Sequence, residues 1–215
     1  GVPLWLGKML IRPVLLWEAS GYWDAIPTAL QEEARGISHG SGVHFLEVVL
    51  VTSIWEIYMA HGCSEFVVAR EMTLDGSMIH GFNDDQPSRE HGFASPYLAM
   101  IFYRPNGGIP FCTQNTVGSL GVYGGMNEEG ISVAWDNTHT KDRSLYDGAR
   151  LPAVPYVVTL RRLLENGKSL EEAIQIVLRA MPRPLADIII IGSAYEGSAV
   201  ALETAGSTYA TRPLK

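Results

Sequence analysis

The chain has 215 residues, 47% of them hydrophobic and 18% charged, a mixture that buries a core and argues against long disorder. Its 16 basic and 23 acidic residues leave a formal net charge of −7, which lacks the basic footprint of a phosphate-binding surface, so nucleic acid is not an expected partner. A single domain over residues 1–215 is expected at this length.

Residues 2–17 and 45–59 are both rich in large hydrophobes, but Lys8, Arg12 and Pro13 interrupt the first and Glu47 and Glu56 the second. Neither reaches the roughly 18 uninterrupted apolar residues of a membrane span, so both read as core elements. Residues 24–36 have helical composition, with Asp24 as cap and Gly36 as stop, and a glycine-rich connector follows over 38–42. From Phe45 to Tyr58 the spacing of Leu46, Val49, Leu50, Ile54 and Ile57 predicts a helix that delivers the chain to Gly62-Cys63.

Beyond Cys63 the texture turns β-like. Residues 66–70 and 78–82 read as a hairpin around Leu74-Asp75-Gly76-Ser77, and further strands are expected at 97–103, 111–116, 119–123 and 131–136. The glycines between 118 and 125 have no Lys-Ser/Thr ending and read as tight turns rather than a phosphate cradle. Short connections favour antiparallel pairing. Helices are expected at 152–166, ended by Gly167, and at 169–180, where Ser169 and Glu172 fit a capping box. Strands return at 187–191, apolar enough to be covered on both faces, and at 199–203.

The chemistry concentrates at His61-Gly62-Cys63-Ser64, followed eighteen residues later by Gly81-Phe82-Asn83-Asp84-Asp85. If the Gly62-Cys63 bond were cut, Cys63 would carry both a thiol nucleophile and an α-amine titrating at roughly 7.7 to 8.0, a poised proton acceptor on the same residue. A third segment, Gly125-Met126-Asn127-Glu128-Glu129-Gly130-Ile131-Ser132-Val133-Ala134-Trp135-Asp136-Asn137, lies downstream. On these three segments in this order the chain resembles the N-terminal-nucleophile (Ntn) hydrolases. Its nearest likeness is to the peptidase C45 group, which includes the acyl-coenzyme A:6-aminopenicillanic acid acyltransferases; choloylglycine hydrolases are more distant.

The resemblance implies an α+β fold, a four-layer αββα sandwich of antiparallel sheets, made as a precursor that cuts itself between residues 62 and 63. It implies Cys63 as nucleophile with its freed amine as base, Asp85 as the carboxylate that orients them, and Asn137 as an oxyanion donor. Asp136 takes that place if the register slips by one. Asn83 or a backbone N–H is the expected second donor. Arg70, Phe82 and Trp135 are the expected substrate contacts. Phe82 stands where many relatives carry arginine, with Arg70 as a possible substitute. Relatives continue past the point matching Lys215, so the domain is expected to be C-terminally incomplete.

The plainer readings stand beside these. Cys112, in an apolar run, reads as core. Asp85 also fits a turn residue before Pro87, and Asn137 a residue capping the next turn. The charged cluster Glu32, Glu33 and Arg35 reads as a solvated helix face. The six histidines show no HExxH or paired spacing, so neither metal nor cofactor is expected, although His61 and His139 leave open a Cys-His thiol hydrolase. Two cysteines set no disulfide framework and leave the compartment open between cytoplasmic and secreted. The expected function is a self-processing cysteine amidohydrolase or acyltransferase acting on a small acyl amide or acyl thioester. Its two processed fragments would stay associated, and a homo-oligomer is compatible with this reading. The alternative from a different class is a noncatalytic or unprocessed homologue.

Overall fold

The computed structural model describes residues 4–58, 62–85, 97–138, 140–146 and 153–214. The chain opens with three helices, α1 (Leu4–Trp23), α2 (Thr28–Ser41) and α3 (Phe45–Tyr58). They build a cluster of their own, in which Ala19, Tyr22, Leu30, Ala34, Val48 and Val49 close around Leu120 and Val158. No single helix among the described residues is long and apolar enough to cross a membrane.

The core reading of residues 2–17 holds only in part. Ile11, Val14 and Trp17 are exposed, Trp17 by 71%. Apolar residues run all round α1, and a helix packed along one side leaves the others outside. Helix α2 starts after Pro27 rather than at Asp24, and it passes through Gly36 and the expected connector to Ser41. Glycine in a helix costs about 1 kcal/mol, which burial of Leu30 and Ala34 offsets. The helix ends at Gly42, whose φ of 76° and N–H bond to the Ser38 carbonyl make a left-handed cap.

Two antiparallel sheets follow. Strands β1 (Gly62–Val68) and β2 (Ile79–Asp85) form the smaller. The larger holds seven strands paired in chain order, β3 (Leu98–Tyr103), β4 (Phe111–Thr116), β5 (Gly124–Asn127), β6 (Ile131–Thr138), β7 (Arg183–Ser193), β8 (Ser198–Gly206) and β9 (Thr208–Pro213). Helices α4 (Tyr156–Asn166) and α5 (Leu170–Arg179) cover one face of the large sheet, packing Leu160, Leu163 and Val177 on Val133, Trp135, Ile189 and Ile191. The other face receives the β1–β2 ribbon across β6 and β7. This is the expected α+β sandwich of stacked antiparallel sheets. The ribbon's outer face leaves Phe66 and Ile79 about half exposed.

Several expected boundaries move. β1 begins at Gly62, four residues before the expected strand, and β2 runs on to Asp85, so Cys63 and the Asn83-Asp84-Asp85 segment are strand residues rather than a junction and a turn. No strand forms at 119–123. That segment is a loop that buries Leu120 and Val122, and the Val122 N–H bonds to the Val157 carbonyl at 2.9 Å. Of the glycines expected as turns, Gly118 keeps a turn at a φ of 91°, while Gly124 and Gly125 open β5: a Cβ at Gly125 would run into the Cys112 carbonyl, so glycine is what lets the two strands pair here. Ser169 accepts the Glu172 N–H at 3.2 Å as expected of a cap, but the Glu172 carboxylate reaches back to the Lys168 N–H. β9 was not expected, and Pro152, His61, His91 and His139 lie outside the described residues.

The helical cluster is tied to the rest of the chain by a buried ionic knot. Glu56 on α3 accepts the Tyr156 N–H at the start of α4. Arg183, 1% exposed, donates to the Val154 carbonyl at 3.1 Å, lies 4.3 Å over the Tyr156 ring and places its Nε 3.9 Å from Asp187. Burial pushes Glu56 up to about 7 and Asp187 up to about 6. Both values exceed those of unfolded carboxyls, so the folded chain holds protons that the unfolded chain releases, and the stability they carry is lost as pH rises through about 7. The urea midpoint is therefore expected to fall between mildly acidic and neutral pH. Glu56→Gln, which keeps an acceptor for Tyr156, is expected to flatten that fall; an unchanged slope would remove Glu56 from it.

Candidate active site

Alternation along β1 turns Cys63, Glu65 and Val67 toward the large sheet and Ser64 and Phe66 to solvent. In β2 the half-buried residues are His80, Phe82 and Asp84, while Ile79, Asn83 and Asp85 are exposed. Antiparallel register sets Cys63 opposite Asp84 and Glu65 opposite Phe82. Below them β6 presents Ser132, Ala134 and Asp136. The Cys63 backbone N–H donates to Asp136 Oδ1 at 3.1 Å, and the thiol donates to Asp84 Oδ1 at 3.8 Å. The sulfur and the backbone nitrogen of Cys63 thus each rest on a carboxylate.

Electrostatics follow from that crowding. Burial, with Asp84, Asp136 and Asp85 nearby, pushes the Cys63 thiol up to about 12, opposed only by the Asp85 backbone N–H. Burial also raises Asp136, although the Cys63 N–H stabilises its charge. Glu65 is pushed up to about 8, again by burial first, with Asp136 adding to it. His80, whose Nδ1 lies 2.9 Å from Ser132 Oγ, is driven down to about 4 by burial.

Beside this row a groove of about 390 Å³ runs between the sheets, lined by Met78, His80, Phe82, Met100, Cys112 and Met126. The close seat of Phe82 on Gly124 narrows it: a Cβ there would lie 3.1 Å from the ring. A second cavity of about 410 Å³ opens at the Thr138 end of β6, with Lys141, Glu203, Thr208 and Tyr209 on its walls.

The structure brings together only some of the residues that the sequence nominated. Cys63 and Phe82 share the inter-sheet face. Asp85 pairs with Gly62 and turns its exposed carboxylate outward to the Asn83 amide, so neither side chain faces the thiol. Asn137 lies in register with Asp187 on the α4 side of β6, 5% exposed, with neither side-chain polar atom bonded among the described residues. Trp135 shares that side, stacked on Tyr156 at 4.9 Å and donating to Asp187 at 2.7 Å, away from the groove. Arg70 lies beyond the far end of β1, bonded to the Ala194 carbonyl. Asp84 and Glu65 were not nominated, and Asp136 only as a stand-in for Asn137. Period-two counting from Cys63 finds Glu65, but Asp84 and Asp136 need the register.

No protein-family model matches the chain, and no curated protein matches it. Among solved structures the chain is similar to the N-acylethanolamine-hydrolyzing acid amidase ortholog of Caenorhabditis elegans, at 18% identity and a TM-score of 0.51, over 71% of this chain and 64% of that one. It also matches the penicillin V acylase of Agrobacterium tumefaciens at 10% identity and a TM-score of 0.34, over 71% of this chain and 41% of that one. The chain thus spans 64% of the length of the amidase ortholog. At this identity the likeness carries the fold, and the chain has the α+β sandwich of the Ntn hydrolases.

Proposed function

We propose that the chain is the precursor of a cysteine Ntn amidohydrolase that cuts itself at Gly62-Cys63 and then works through a Cys63 acyl-enzyme. The observation that carries this reading is the pair of carboxylates on Cys63, Asp136 at its backbone nitrogen and Asp84 at its sulfur. In processing, the thiol adds to the Gly62 carbonyl carbon, the Gly62-Cys63 C–N bond breaks, and the nitrogen takes the thiol proton. Water then cleaves the resulting thioester to a Gly62 carboxylate and a free thiol. In turnover the Cys63 amine takes the thiol proton as sulfur adds to the substrate carbonyl, and passes it to the departing amine as the amide bond breaks. Asp136 and Asp84 hold the ammonium form of that amine between the two transfers.

The apolar, methionine-lined groove supports an acyl chain as the acyl group, and Lys141, Glu203 and Thr208 on the walls of the cavity beyond Thr138 support a hydrophilic amine as its partner. By analogy with the amidase ortholog, an N-acyl amide of a small polar amine is the substrate class. Release to water makes the enzyme a hydrolase; release to a second amine makes it an acyltransferase. A second reading, an unprocessed homologue, draws on the thiol's rise to about 12 in the uncut chain.

The intact reduced mass of wild type beside Cys63→Ala separates the two. Wild type is expected to split into residues 1–62 and 63–215 while the variant stays whole; two uncut chains would favour the unprocessed homologue. The outward face of Asp85 gives a second expectation. In freshly made chain, before the cut, alkylation of Cys63 followed by mass against pH should shift to lower pH in Asp84→Asn, and less so in Asp85→Asn. Equal shifts would return Asp85 to the place beside the thiol.

A further inference from the structure

The tetrahedral oxygen formed on attack needs a hydrogen-bond donor, and removal of one such donor costs other enzymes about a hundredfold or more in kcat. Neither side-chain amide expected to serve shares a face with Cys63: Asn83 points outward from β2, and Asn137 lies on the α4 side of β6. The backbone nitrogen of Cys63 is occupied by Asp136, and the Asp85 N–H is directed at the sulfur itself. The remaining polar side chain on the Cys63 face of β1 is Glu65.

Its setting is unusual for a carboxyl group. Glu65 faces the large sheet, where one oxygen sits 3.4 Å from the Ile190 N–H and the other, buried, has no hydrogen-bond partner among the described residues. Its cross-strand neighbour is Phe82, so no cation meets it from β2. The titratable groups on the faces packed around it are Cys63 on its own strand, Asp84 and His80 on β2 and Asp136 on β6, while β7 offers Ile188 and Ile190. Residues two apart on a strand are separated by about 6.7 Å, a span that a carbonyl bonded to sulfur and a hydrogen bond of about 2.7 Å fill.

We propose that Glu65 is a further catalytic residue of the Cys63 site, a neutral carboxyl whose O–H donates to the oxygen of the carbonyl under attack. The inference rests on the acyl-enzyme reading. Burial pushes Glu65 up to about 8, so it holds its proton at neutral pH and can donate where an ionised carboxylate would repel the oxyanion. The proton stays on Glu65 throughout; the thiol proton goes to the Cys63 amine. Asp84 and Asp136 already place negative charge around the sulfur, and a neutral donor adds none.

The test compares wild type, Glu65→Ala and Glu65→Gln, each checked by intact mass for processing and assayed on decanoyl-7-amido-4-methylcoumarin from acidic to alkaline pH. Glu65→Ala is expected to lose about a hundredfold in kcat with KM little changed. Glu65→Gln, whose amide also donates, is expected to recover much of that loss. Wild-type kcat should decline above about pH 8 as Glu65 ionises, and the Gln variant should lack that decline. Because Gln has the shape of Glu, the missing alkaline limb can be read on a folded chain even where Glu65→Ala does not fold. A processed, active wild type whose alkaline limb persists in Glu65→Gln would overturn the role of Glu65 and leave the nucleophile reading standing. A wild type that neither splits nor turns over would overturn the acyl-enzyme reading first, and this inference with it.

Discussion

Everything at the site depends on the pairing of β1 with β2 and on how that ribbon sits on β6. Side chains in a strand alternate between faces, so a shift of one residue would send Cys63 and Glu65 to solvent and bring Ser64 and Phe66 inside. Three contacts hold the register. Phe66 lies over Gly81 on the outer face, where any Cβ would strike its ring. Phe82 packs inward against the main core. The Cys63 N–H reaches Asp136 across the two sheets. Because that last bond uses the main chain of Cys63 itself, the register of the ribbon and the position of the thiol are set by the same interaction.

The cost of this arrangement is a concentration of negative charge around a thiol. In the continuous chain, burial and three neighbouring aspartates disfavour the thiolate strongly. Cutting before Cys63 would change the sign of the problem, since a new ammonium would sit where the carboxylates already are. The same residues that restrain the thiol in the uncut chain would then stabilise a cation beside it. On the proposed reading, such a site would stay quiet as a precursor and become competent through one bond cleavage.

The helices before the cysteine are bound to the later chain by buried ionic contacts. Arg161 on α4, almost fully buried, grips Glu33 of α2 with two donors at 2.9 and 2.7 Å, bonds Glu165 at 2.8 Å and the Leu120 carbonyl at 2.9 Å, and stacks over Tyr103. A buried guanidinium left without its carboxylates is costly, so this pair resists separation of the two segments. The knot of Glu56, Tyr156, Arg183 and Asp187 makes a second seam between the same parts.

Local chemistry in the sequence determined much of the secondary structure. The periodicity of α3, the Ser169 cap of α5 and the apolar run of β7 are set by neighbours a few residues away, and they appear where the residues place them. Cys63 was singled out by the segments around it and their likeness to the Ntn hydrolases, and the structure seats it on the face between the two sheets. Composition did not reveal that Gly36 continues a helix or that Gly124 and Gly125 form a strand, because in both places packing outweighs intrinsic preference. Nor did it distinguish Asp84 from Asp85 or Asp136 from Asn137. Adjacent residues in a strand point to opposite faces, and which face meets the thiol is settled by cross-strand register and by the stacking of one sheet on the other, contacts between residues 73 apart in the chain.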